Sequence, residues 1–66
     1  KMTQLIREVL DLEYSKYKYL GNGVITYRSK GKTIKVSFND VYNTLLDYGV
    51  DESPAKVKDT LNEINK

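Results

Sequence analysis

The densest run of charge in the sequence is the decapeptide TYRSKGKTIK at residues 26–35, which contains four cations and no acid. The acid-free stretch extends from Tyr14 to Asn39 and contains six cations in all. Cations spaced along a β-ribbon can neutralise successive phosphates of a nucleic acid. The charge pattern therefore predicts a small nucleic-acid-binding accessory or regulatory protein that uses Lys16, Lys18, Arg28, Lys30, Lys32 and Lys35.

Four tyrosines lie between or beside these cations, and aromatic rings at such positions can stack on unpaired bases. They are Tyr14, Tyr17, Tyr19 and Tyr27. Tyr17 and Tyr27 also suit a hydrophobic core, and Lys, Arg and Thr are ordinary residues for the solvated face of a sheet. A plain solvent-exposed face is therefore one alternative to nucleic-acid contact.

The second alternative is a small adaptor or inhibitor that binds a protein partner through a strand edge or through acidic helices. Residues 1–36 hold eight cations and three acids, a net charge of +5, whereas residues 37–66 hold three cations and six acids, a net charge of −3. The chain is thus electrically polar, and most of its acids lie in the half that contains the last two predicted helices.

The residue types needed for catalysis are scarce. There is no histidine and no cysteine, so thiolate nucleophiles, imidazole bases and thiolate zinc sites are excluded. The four serines lie where turns or helix caps favour serine, and Asp51 and Glu52 precede a helix whose dipole they would stabilise. We expect no enzymatic activity, no cofactor and no metal.

The last two predicted helices are a second candidate for binding nucleic acid. Residues 45–61, LLDYGVDESPAKVKDTL, resemble a generic helix-turn-helix. The turn is longer than in the tight motif, and Asp59 and Glu63 would bring carboxylates towards phosphate. An ordinary antiparallel helix pair is the favoured interpretation, and the basic ribbon remains the better candidate surface.

The elements that position these cations follow from periodicity. Residues 3–20 show helical spacing of apolar side chains, with Thr3 as a plausible cap, and the sequence LGNG then ends the helix. A two-residue turn at Lys30-Gly31 would place Ile25, Tyr27, Ile34 and Val36 on one face of a hairpin. Arg28 and Lys35 then lie on the other face with Thr26 and Thr33.

Two further helices are indicated by capping residues. Ser37 or Asn39 caps the first, which ends at Gly49, where a Schellman contact can link Val50 to Leu45. Ser53 caps the second, with Pro54 at its first position. The predicted fold is α+β in the order α-β-β-α-α, a two-stranded antiparallel hairpin packed on three helices. Its predicted core comprises Leu5, Ile6, Val9, Ile25, Ile34, Val36, Phe38, Val41, Leu45, Leu46, Val57 and Leu61.

The length of 66 residues predicts one small domain near the size at which a single core becomes marginal. No apolar run approaches the roughly 18 residues of a membrane span, and no leader pattern is present, so we expect a cytoplasmic protein without membrane contact. A short chain with open strand edges gains stability by pairing with a copy of itself, and we therefore expect a homodimer.

Overall fold

The computed structural model describes residues 2–65. Helix α1 (Met2–Glu13) is followed by strands β1 (Lys18–Gly21), β2 (Val24–Ser29) and β3 (Lys32–Val36), and then by helices α2 (Phe38–Asp47) and α3 (Pro54–Ile64). The strands form one antiparallel sheet in the order β1-β2-β3. The α+β class is confirmed, but the order is α-β-β-β-α-α and the sheet has three strands where two were predicted.

The extra strand comes from the end of the segment that was predicted to be helical. Helix α1 stops at Glu13, and Thr3, the predicted cap, lies inside it. Asn22 and Gly23 have φ values of 54° and 80°, the two positive angles of a type I′ turn, whose twist matches that of paired strands. The Asn-Gly pair therefore joins β1 to β2, and the prediction that it ends a helix is wrong.

The predicted register of the second hairpin is confirmed at every pair. Ile25 pairs with Val36, Tyr27 with Ile34 and Arg28 with Thr33, and the same register continues through Thr26 with Lys35 and Ser29 with Lys32. Lys30 and Gly31 have φ values of 52° and 78°, so this turn is also of type I′. Only one register places all four apolar residues of the hairpin on one side, which is why alternation identified it.

The predicted caps of α2 and α3 are also confirmed. The hydroxyl oxygens of Ser37 and Ser53 accept hydrogen bonds from backbone amides in the first turns of α2 and α3. Helix α2 ends in a Schellman motif, in which the Val50 amide donates to the Leu45 carbonyl at 3.0 Å and the Gly49 amide donates to the Leu46 carbonyl at 3.0 Å. Gly49 has a φ of 87°, which glycine adopts without a steric penalty.

The core lies between the inner face of the sheet and the three helices. Four predicted members lie outside the buried set: Leu5, Ile34 and Leu46 are 36%, 38% and 42% exposed, and Phe38 is only partly buried. Leu5 and Leu46 flank the buried stripes of their helices, and Ile34 lies on the edge strand β3. The buried set gains three residues that were not in the predicted core. It consists of Ile6, Val9, Leu10, Tyr14, Ile25, Val36, Val41, Leu45, Val50, Val57 and Leu61.

Helix α2 packs against β2, and α3 packs against both α1 and α2. Side chains of all three helices and of β2 and β3 belong to the same core. The helices therefore cover the inner face of the sheet. The alternate residues of each strand point away from the helices and form the outer face.

Candidate nucleic-acid interface

The outer face of the sheet carries a row of polar side chains across all three strands. Lys18 of β1 pairs with Thr26 of β2, which pairs in turn with Lys35 of β3. In the next row towards the hairpin tip, Arg28 pairs with Thr33. Their neighbours along the strands, such as Ile25 and Val36, are buried, so alternation directs these residues away from the helices.

The hairpin tip carries the remaining two predicted cations. Lys30 occupies the first position of the turn and Lys32 begins β3, and both are exposed. Lys32 has the same strand parity as Ile34 and Val36, so its side chain leaves the sheet on the side of the helices. Lys32 is therefore separated from the outer-face row that contains Lys35.

Arg28 is held in place by the hairpin that carries it. Its Nη1 donates to the hydroxyl oxygen of Thr33 at 3.0 Å, and its Nη2 donates to the carbonyl oxygen of Gly31 at 2.8 Å. These bonds use two of the five guanidinium donors. The guanidinium is thus fixed above the outer face with part of its donor capacity facing solvent.

Three of the six cations line one shallow depression on this face. Its volume is about 270 Å³, and Lys16, Lys18 and Arg28 contribute its charge. The rest of the lining comes from Thr26, Tyr27 and Thr33. Enclosed sites for drug-sized ligands generally exceed about 300 Å³, so the depression suits a single polar group at the surface better than a whole small molecule.

Lys16 reaches the depression from the connection between α1 and β1, where it has a φ of 57°. Glycine or asparagine normally occupies such a left-handed position after a helix. A residue with a Cβ atom pays roughly 1 kcal/mol for this conformation. A cation is thus present at a position where conformational preference alone would favour a different residue.

The structure brings the predicted site residues into two groups. Lys16, Lys18, Arg28 and Lys35 belong to the outer face and its depression, whereas Lys30 and Lys32 lie at the tip. None of the six forms an ion pair with a carboxylate in the described part of the chain. The hydroxyls of Thr26 and Thr33 were not among the predicted site residues, although strand alternation placed both on the basic face.

The tyrosines that could have stacked on bases face the protein interior instead. The Tyr14 ring is 8% exposed and lies 5.2 Å from the Tyr27 ring, centroid to centroid. The Tyr14 hydroxyl bonds the Thr44 hydroxyl at 2.8 Å. Tyr17 and Tyr19 are partly buried and pack against the core. These rings therefore pack within the fold, and Tyr27 is the one of the four that also lines the depression beside the cations and hydroxyls.

The Tyr19 hydroxyl ties the first hairpin to helix α3. It accepts a hydrogen bond from the Gly23 amide at 2.9 Å and donates one to the side-chain oxygen of Asn62. This chain of bonds fixes the position of β1, and with β1 the position of Lys18, relative to the helices.

The helix-turn-helix interpretation does not match the geometry of α2 and α3. Residues 48–53 separate the two helices, which is longer than the three- or four-residue turn of that motif. Lys58 lies over the Phe38 ring, 4.8 Å from its centroid, and Asp59 is exposed. One of the few cations of α3 is thus engaged within the fold.

Comparison of the chain with protein-family models, with curated proteins and with solved structures finds no match. Across residues 2–65, no cluster of three or more His, Cys, Asp or Glu side chains is placed to hold a metal ion. No helix in the same range is both long and apolar enough to cross a membrane.

Proposed function

We propose that the protein binds duplex DNA through the outer face of its three-stranded sheet. The observation that carries the proposal is the row formed by Lys18, Thr26 and Lys35, flanked by Arg28 and by Lys16, on a sheet face that the helices leave uncovered. The cations come from three separate parts of the chain, and no carboxylate is among the described residues that line the depression.

The choice of a duplex over a single strand follows from the placement of the aromatic rings. Proteins that bind single strands combine a basic groove with aromatic side chains on which bases stack. Here the Tyr14 and Tyr27 rings pack on each other, and Tyr19 bonds to α3. Cations and hydroxyls suit the phosphates of a regular backbone, which a duplex presents at fixed spacing.

The choice of DNA over duplex RNA follows from groove dimensions. The major groove of B-DNA is about 12 Å wide and admits a two-stranded β-ribbon, whereas the deep, narrow major groove of A-form RNA does not. The hairpin of β2 and β3 is such a ribbon, and its tip carries Lys30. We infer that the hairpin enters the major groove, where Lys30 at its tip reaches one phosphate, while Lys18 and Lys35 contact the flanking backbone.

The direct test is fluorescence anisotropy with a labelled 20-base-pair duplex, the matching single strand and a duplex RNA of the same sequence. We expect the DNA duplex to bind most tightly, and the double variant Lys18→Glu/Lys35→Glu to lose binding while its circular dichroism spectrum is unchanged. Exposed substitutions of this kind usually alter stability by under about 0.5 kcal/mol each.

The control is Lys56→Glu at an exposed position of α3, and it is matched in charge by the single sheet variant Lys35→Glu. The control should retain binding, because α3 packs against α1 and α2 and contributes no residue to the row on the outer face. Lys58→Glu is a poorer control since Lys58 contacts the Phe38 ring. Loss of binding in Lys56→Glu together with full binding in the sheet variant would place the site on α3 and overturn the proposal.

The alternative function is binding of a protein partner along a strand edge. β1 and β3 are the two edge strands of the sheet, and an extended peptide can add a strand to such an edge. Main-chain bonding of this kind depends little on salt, whereas phosphate contacts depend on it steeply. A ligand held equally well at 50 and 200 mM salt would favour this function.

A further inference from the structure

We propose that the depression between the α1–β1 connection and the outer face of the sheet holds one backbone phosphate of the bound nucleic acid. The inference rests on the proposed function and goes further, because it assigns three cations to a single phosphate. Lys16, Lys18 and Arg28 would supply the charge, and Thr26 and Thr33 would supply hydroxyl donors.

The chemistry of the lining is that of an oxyanion site. The Thr33 hydroxyl oxygen already accepts a bond from Arg28, so its hydrogen is directed to another acceptor. A hydroxyl has one donor and can serve an incoming phosphate oxygen in this way. Arg28 is itself fixed by the Gly31 carbonyl, so little side-chain entropy is lost when it meets a charged ligand.

The connection that ends α1 brings Lys16 to the same depression. Lys16 has a φ of 57° in a connection where glycine would be free of strain. The Lys16 side chain lines the depression together with Lys18, only two residues later on β1.

A phosphate shared by several cations has a signature in the salt dependence of binding. Each phosphate neutralised on B-DNA contributes about 0.9 to the slope of log Kobs against log salt concentration. If Lys16 and Lys18 serve one phosphate, the double variant Lys16→Gln/Lys18→Gln lowers the slope by at most about 0.9. If they serve separate phosphates, the same variant lowers it by about 1.8.

The matched control is Lys30→Gln/Lys35→Gln, which removes the same charge from two separated positions, one at the tip and one on β3. We expect a loss of about 1.8 in slope for this pair. For Lys16→Gln/Lys18→Gln we expect at most 0.9, with affinity about tenfold lower, since charge-assisted hydrogen bonds are among the stronger contacts.

A second measurement uses inorganic phosphate as the probe. Titration of the ¹⁵N-labelled protein at constant ionic strength, with chloride replaced by phosphate, should give saturating amide shifts at residues 16–18, 26–28 and 33. Equal, non-saturating shifts throughout the basic stretch would overturn the inference, and so would a slope change near 1.8 or an unchanged affinity in Lys16→Gln/Lys18→Gln. These failures leave the proposed function intact, whereas absence of duplex binding by the unaltered protein refutes the function itself.

Discussion

Arg28 shows how one side chain can serve both the hairpin and the proposed interface. Its guanidinium bonds the Gly31 carbonyl and the Thr33 hydroxyl, which links the turn to the strand that follows it. The same bonds hold the charge over the outer face. A substitution at Arg28 would therefore disturb both the tip and the proposed binding surface.

The charge of the site was predictable from the sequence, but the identity of its neighbours was not. A stretch without acids is visible by inspection, and strand parity separates Lys32 from Lys35. The partners of the tyrosines are 30 to 43 residues distant, as for Tyr14 with Thr44 and Tyr19 with Asn62. No local pattern encodes such contacts, so the inward orientation of these rings required the tertiary structure.

Tyr48 is expected to titrate above the ordinary tyrosine pKa of 10.0. Its hydroxyl donates a hydrogen bond to a carboxylate oxygen of Glu13. That bond is the main cause of the raised pKa of Tyr48, with smaller contributions from burial and from the negative charges of Glu13 and Asp47. Because the protonated form is favoured in the folded state, its stabilisation is present below pH 10 and is lost as pH rises through the folded-state pKa.

Absorbance titration of tyrosinate between pH 9 and 12 measures this directly. We expect Tyr48→Phe to remove an alkaline-shifted component, and Glu13→Gln to move that component back towards pH 10 because the negative charge is gone. An identical titration curve for Glu13→Gln and the unaltered protein would contradict the assignment.

At the scale of elements, strand β1 is the element that the sequence pattern did not predict. The apolar and aromatic residues after Glu13 fit a continued helix as well as a strand, and the Asn22-Gly23 pair is both a helix terminator and the preferred type I′ turn. The β2–β3 hairpin had no such ambiguity, because Thr26, Arg28 and Lys35 alternate strictly with apolar residues. Local periodicity predicted the β2–β3 hairpin correctly. It failed for β1, where the same residues fit both the helical and the strand period.

The two type I′ turns provide a matched pair of glycine substitutions. Gly23 and Gly31 have φ values of 80° and 78°, but a Cβ atom at Gly23 would lie 2.3 Å from the Phe38 ring, whereas one at Gly31 would meet nothing within 4 Å. We expect Gly31→Ala to cost about 1 kcal/mol for the left-handed conformation alone. Gly23→Ala should cost about 2 to 4 kcal/mol because the core must also shift.

Urea unfolding followed by circular dichroism distinguishes these costs. Equal losses of stability in the two variants would show that the close packing of Gly23 on Phe38 is not present in solution.

Strand parity makes a second prediction at this scale. Lys32 and Lys35 lie on the same strand but leave the sheet on opposite sides. We expect Lys35→Gln to weaken duplex binding about three- to tenfold, the range for a charged phosphate contact, and Lys32→Gln to change it by less than about twofold. Anisotropy titrations at one salt concentration compare the two, and a larger effect for Lys32→Gln would show that the wrong face had been assigned.

At the scale of the whole molecule, the sheet leaves the edges of β1 and β3 available for pairing. We propose that a second copy of the chain can extend the sheet antiparallel across one edge, which would double the length of the basic face. Sedimentation at high micromolar concentration should then give twice the 7.6 kDa mass of the chain. A monomer mass throughout that range would remove the dimer and leave the single-chain surface as the binding unit.

The salt dependence of duplex binding by the unaltered protein tests the central claim most directly. Three to five phosphate contacts predict a slope of log Kobs against log salt concentration between about −2.7 and −4.5. The corresponding loss of affinity between 50 and 200 mM salt is about 40- to 500-fold. A slope weaker than about −1, or no detectable duplex binding at 50 mM salt, would contradict a DNA-binding role for the outer face.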